Sequence, residues 1–143
     1  MEKQYKRVVV YYRIPSDDRF QASCIQLLRD HYRKFLKKKD FGWELTGLYT
    51  DERYDSGNGG EQTGLRKILE DAESGIFDVI IIRSLSQLSR SLKECMDIIF
   101  GLRELPHPVG IFFVEDSLYT LDTRDEYTLQ ILSHYADDTE TEG

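Results

Sequence analysis

The chain has 143 residues, enough for one domain with a full hydrophobic core and no need of disulfide or metal staples. Its formal net charge of −7 argues against a free-standing DNA binder, because neutralising phosphates takes a basic surface. No stretch approaches the roughly 18 consecutive apolar residues of a membrane span, and no signal-peptide pattern opens the chain.

The charge is unevenly spread. Residues 1–40 carry eleven Lys and Arg against five acids, and residues 41–143 carry eight against twenty-one. The basic cluster Arg33, Lys34, Lys37, Lys38 and Lys39 admits two readings: a contact for phosphates, or a solvated helix face with cations placed well for the helix dipole. The second is the commoner outcome. Cys24 and Cys95 lack CxxC spacing and read as buried free thiols, which fits a reducing cytosol. His31, His107 and His134 are too scattered to make a metal-ligand pattern.

In chain order, Arg7 to Tyr12 (RVVVYY) is an apolar, β-rich run that reads as the first strand. It ends at Arg13-Ile14-Pro15-Ser16, where Pro15 has no N–H to continue a ladder. A polar loop leads to a helix of about Ala22 to Lys39 with the core stripe Ile25, Leu28, Tyr32, Phe35 and Leu36. Trp43 to Thr50 alternates like a second strand. Asp51 to Gly60 holds three Gly, an Asn and several acids, and reads as a loop. Its Gly-Asn-Gly-Gly lacks the Lys-Ser/Thr of a phosphate-binding loop. Thr63 is expected to cap a helix to about Ser74, with Leu65, Ile68, Leu69 and Ala72 inward and Gly75 as its stop.

Phe77 to Arg90 (FDVIIIRSLSQLSR) is the centre of the chain. Val79 to Ile82 is an unbroken β-branched run, as in a central parallel strand covered on both faces. It delivers polar residues 83–90 at its carboxyl end, which is where open α/β sheets place their chemistry. A long helix is expected over about Ser89 to Leu105, then a buried strand Val109 to Val114 and a short extended stretch Leu118 to Thr123. The last helix, Asp125 to about Asp138, has Tyr127, Ile131, Leu132 and Tyr135 as its inward set. Residues 1–138 thus form one domain, and 139–143 an acidic, disordered tail. The alternation of strands and helices implies an α/β, three-layer α/β/α fold with a mostly parallel sheet of four to five strands.

Several motifs together resemble the serine recombinases. They are Tyr11-Tyr12-Arg13-Ile14 ending a first strand, Ser23-x-x-Gln26 opening a helix, and Trp43-Glu44-Leu45 before an acidic Ser56-Gly57 loop. Gly64-Leu65 entering the next helix, Arg83 to Arg90 (RSLSQLSR) and Tyr119-Thr120-Leu121-Asp122 complete the set. The likeness covers nearly the whole chain in order. It is closest to the N-terminal catalytic domain of the large serine recombinases of mobile elements.

The resemblance implies a resolvase-like fold and a serine hydroxyl that attacks a DNA phosphodiester, leaving a 5′-phosphoserine link with no metal or nucleotide cofactor. Charge on the phosphoryl oxygens then has to be stabilised by cations of the protein, and arginine supplies a fixed fork of donors. It also implies dimers that pair into tetramers, with DNA held mainly by C-terminal domains beyond the end of this chain, and no membrane. By position, the candidate catalytic residues are Ser16, Arg13, Gln26, Ser86 and Arg90. Three positions depart from the pattern. Pro15 stands where the nucleophilic serine belongs, and Gln62 and Gln87 stand where arginines belong; a glutamate of the last helix falls near Thr139. Ser16 is one residue late, and neighbouring side chains on an extended backbone point to opposite faces.

The expected function is therefore a site-specific DNA recombinase domain with an impaired centre. The alternative is a catalytically silent dimerisation or regulatory relative. A flavodoxin-like small-ligand binder is a third, weaker reading. Beside the catalytic roles stand plainer ones: Arg13 and Arg90 as structural cations, Ser86 and Ser89 as helix caps, and Gln26 as an ordinary surface residue.

Overall fold

Hydrophobic alternation along the first strand decides the layering, because its odd and even residues feed different cores. The structure, a computed structural model, describes residues 5–14, 18–40, 42–52 and 63–142, and side chains among 22–136 and 5–14. In order, β1 is Lys6–Ile14, α1 Asp18–Lys39, β2 Trp43–Glu52, α2 Thr63–Glu73 and β3 Val79–Ile82. Then come α3 Leu85–Leu88, α4 Leu92–Arg103, β4 Gly110–Phe113, β5 Leu118–Tyr119 and α5 Glu126–Glu142. The sheet order is β2-β1-β3-β4-β5, with β5 alone antiparallel. The expected three-layer architecture is present.

Val8 and Val10 join Val79 and Ile81 beneath Tyr32 and Leu36 of α1. Val9 and Tyr11 face the other way, with Ile80 and Ile82, against Leu65 and Ile68 of α2, Ile99 of α4 and Leu129 of α5. This is the period-2 alternation of a strand buried on both sides. Among the described residues, no helix is long and apolar enough to cross a membrane.

Five expectations need correcting. The helix expected over about Ser89 to Leu105 begins later, at Leu92, and a separate short helix, α3, precedes it, because Ser89 and Ser91 take extended backbone angles. Serine side chains compete for main-chain groups and favour such breaks. Capping falls on Ser91, whose Oγ accepts from the Glu94 N–H, and not on Ser86 or Ser89. Ser89 instead accepts from the Ser91 N–H and donates to Glu94 Oε2. Asp51, read as part of a loop, closes β2 and is buried. In α5 the buried residues are Leu129 and Ala136, whereas Tyr127, Ile131 and Tyr135 of the expected inward set are exposed. The backbone of α5 also runs past Asp138 to Glu142.

At the amino ends of the strands, Arg7 clamps Asp78 through its main-chain N–H, Nε and Nη2, at 2.7, 3.2 and 3.1 Å. His107 Nε2 lies 2.6 Å from the same carboxylate. Burial opposes ionisation of Asp78, but the Arg7 and His107 bonds outweigh it and hold its pKa at about 2. A carboxyl depressed on folding stabilises the protein fully above its ordinary pKa and loses that contribution as pH falls through the folded value. Between about pH 4 and pH 2 the protein is thus expected to lose about 2 kcal/mol that Asp78→Asn never has. Urea titrations of both proteins across that window check it.

Burial pushes the Cys95 thiol up to about 11, while Cys24 is only half-buried. A thiol reagent at neutral pH is therefore expected to label Cys24 promptly and Cys95 only on unfolding. Timed labelling of Cys24→Ser separates the two.

Candidate functional site

The strand order reverses between β1 and β3, so their carboxyl ends border the crevice where open α/β sheets bind ligands. Arg13 lies there, next to last in β1 and on the same face as Tyr11. It is 1% exposed, so its charge has to be met inside the protein. Its Nη1 donates to the Glu52 carbonyl at 2.8 Å and its Nε to the Gln87 carbonyl at 3.2 Å. Its main-chain N–H donates to Gln87 Oε1, also at 3.2 Å. One guanidinium thus joins β1 to the end of β2 and to α3, and its Cζ lies 5.9 Å from the Tyr11 ring centroid.

Gln87 therefore does more than leave an arginine position empty. Its amide oxygen and its carbonyl both accept from Arg13, which fixes α3 against β1. Ser86, the neighbour of Gln87 in α3, is exposed, and its Oγ is 3.0 Å from Ser84 Oγ. Arg90 is exposed on the extended link between α3 and α4. Gln26 is exposed on α1, where its Nε2 donates to Asp30 Oδ1. Among the described candidates, Arg13 is buried in main-chain contacts, while Gln26 and Ser86 bond their own neighbours. Ser16, Pro15 and Gln62 lie outside the described residues.

One side chain at this end of the sheet, Asp51, was missed in the sequence. Asp51 accepts from Tyr11 Oη at 2.7 Å and from the N–H groups of Gly64 and Leu65 at 2.7 and 2.9 Å. The carboxylate thus caps α2 from a neighbouring strand, in place of the expected Thr63 cap, whose hydroxyl itself donates to Asp51. Gly64 permits this seat, since a Cβ there would run into the Thr50 carbonyl. A tyrosine in a buried strand needs a hydroxyl partner, and Tyr11 was the signal that could have pointed to Asp51. Arg83, at the end of β3, is paired with Glu115 at 2.7 Å, both half-exposed. The Glu115 carboxylate first, and the Tyr12 hydroxyl to a lesser degree, favour its charged form. Among the described residues no three His, Cys, Asp or Glu side chains gather to hold a metal ion.

Comparison with solved structures identifies the fold. The chain is similar to the N-terminal catalytic domain of TP901-1 integrase, with TM-score 0.72 and 21% identity over 96% of this chain and 100% of that one. It is similar to a resolvase family site-specific recombinase from Streptococcus pneumoniae, with TM-score 0.69 and 19% identity over 95% and 89% of the two chains. The C-terminal catalytic domain of ISC1926 TnpA, an IS607-like serine recombinase, follows with TM-score 0.53 and 19% identity over 87% and 77%. No curated protein matches the chain. The family described as "Resolvase, N terminal domain" matches residues 8–141, nearly every residue of the sheet and its helices. With that span, and with a switch point that carries Arg13 and the 83–90 segment, the chain belongs to the resolvase N-terminal domain family of serine recombinases.

Proposed function

We propose that this domain serves site-specific DNA recombination mainly as an associating partner, with its own phosphodiester-cutting centre reduced to near background. The observation that carries the reading is the state of Arg13: its guanidinium is turned to the Glu52 and Gln87 carbonyls inside the protein. A developing phosphoryl charge needs preorganised donors aimed at it, and each one lost typically costs on the order of 10²–10³ in rate. Pro15 in the nucleophile position removes the hydroxyl, and Gln62 and Gln87 remove two cations. Nucleophile and cations act as a unit, so their combined loss leaves little to measure.

Association is supported by α5, where Tyr127, Ile131 and Tyr135 form an exposed stripe at a spacing of four positions. A helix normally turns such a row against a partner. The partner is a second copy or an active recombinase of a mobile element, in the reducing compartment that the free thiols suit.

The test is covalent capture on a nicked suicide duplex. The native chain is expected to give no phosphoserine adduct above that of Ser16→Ala. An adduct that disappears in Ser16→Ala would restore full enzyme status and end the proposal. In sedimentation, Tyr127→Ser/Ile131→Ser is expected to weaken association.

A further inference from the structure

The outer side of α1 carries a charge pattern that the core does not use. Tyr32 and Leu36 turn into the sheet, and Leu28 and Phe35 are half-buried beside them. Arg33, Lys34, Lys37 and Lys38 are all exposed, and among the described residues none of these four side chains has an ion-pair or hydrogen-bond partner. No acid stands between Asp30 and Asp40.

The spacing is orderly. Arg33 and Lys37 are one turn apart, and so are Lys34 and Lys38, giving two rows with steps of about 6 Å along the axis. The helix dipole accounts for cations in the last turn, Lys37 to Lys39. It does not reach Arg33 and Lys34, because the effect fades within that turn. Like charges one turn apart destabilise a helix, and an opposite charge laid along the rows would relieve that repulsion.

We propose that this face of α1 binds the phosphate backbone of duplex DNA, as a contact separate from the Arg13–Gln87 end of the sheet. The proposal rests on the DNA-acting reading above for its choice of polyanion. A duplex presents about one charge per 1.7 Å of axis, a continuous array that two cation rows can follow without reading sequence. Arg33 suits a phosphate through its forked donors, and the lysines serve as point charges. The acids elsewhere in the chain do not cancel the effect, because charges farther than about 8 Å are screened at physiological salt. The location also fits a second contact. The helix leaves the carboxyl end of β1 and ends just before β2 begins, so its basic end lies toward the amino ends of the strands.

Fluorescence anisotropy of a labelled random-sequence duplex tests this, with the full 143-residue chain and its variant Arg33→Gln/Lys34→Gln/Lys37→Gln/Lys38→Gln. Over about 20 to 200 mM salt, the log-log slope of affinity is expected to shrink by about 3 to 4, at about 0.9 per lost contact. Affinity at the low-salt end is expected to fall at least about 100-fold. All four side chains are exposed, so melting curves are expected to coincide; Arg33→Lys alone is expected to keep most of the binding. Equal slopes and affinities for the two proteins would overturn the proposal, as would a native chain with no affinity at low salt. Loss of self-association with DNA binding unchanged would also overturn it, by assigning the face to the acidic end of a second copy. Covalent capture is a separate assay, so cleavage and this contact can fail independently.

Discussion

The triple variant Pro15→Ser/Gln62→Arg/Gln87→Arg is expected to capture a nicked duplex as a phosphoserine adduct at least about 10³-fold faster than the native chain. The gain comes from returning a hydroxyl and two fixed cations together, since groups that act as a unit show little benefit one at a time. Gln87→Arg alone is expected to do harm. It removes the Oε1 that accepts from the Arg13 N–H at 3.2 Å and brings a second guanidinium toward the first. That loss is worth about 1 to 2 kcal/mol of stability with no gain in cleavage. Denaturing gels over a time course, with Pro15→Ala/Gln62→Arg/Gln87→Arg as the hydroxyl-free control, read the outcome. A folded triple variant that forms no more adduct than this control would mean that the carboxyl end of β1 is not where the phosphate reacts.

Asp51→Ala is expected to lower the melting temperature by about 10 °C, corresponding to about 3 kcal/mol. The carboxylate is 6% exposed and accepts from Tyr11, Gly64 and Leu65 at once. Its removal strands a buried hydroxyl and two N–H groups at the start of α2, and each unsatisfied group costs about 1 to 3 kcal/mol. Asp51→Asn retains one acceptor and is expected to lose about half as much, while Tyr11→Phe loses a single bond and about 1 kcal/mol. Thermal unfolding followed by circular dichroism orders the three. If Asp51→Ala melts with the native protein, the bridge is not holding the strand end to the helix.

The parts of this fold that a reader of the sequence can see are those with strong local patterns. Val79 to Ile82 announces a doubly covered strand, and the Tyr32–Leu36 stripe places α1, both as found. The order of strands follows once helices separate them. The errors arise where a local pattern has two solutions. Tyr127, Ile131 and Tyr135 share one side of α5 at helical spacing, but periodicity does not say which side faces the core, and Leu129 and Ala136 won that contest. Ser89 and Ser91, extended between α3 and α4, delay the helix expected from Ser89 until Leu92.

At the site, single residues were legible and their contacts were not. Arg13 is identifiable at the end of its strand. That its acceptors are Glu52 and Gln87, 39 and 74 residues away, follows from strand order and packing, which leave no local trace. Asp51 was lost in a Gly-rich, acidic run because burial of one carboxylate among several is decided by the neighbouring strand's Tyr11.

The Asp51–Gly64 junction has a practical consequence. It gathers the end of β2 and the start of α2 at one point, so Asp51 itself ties the strand end at Glu52 to the helix start at Thr63. Lengthening a connection between two points already held together costs only about 0.6 kcal/mol for each doubling of its length. An epitope, a fluorescent reporter or a second binding module spliced between residues 52 and 63 is therefore expected to ride on the domain with the sheet intact.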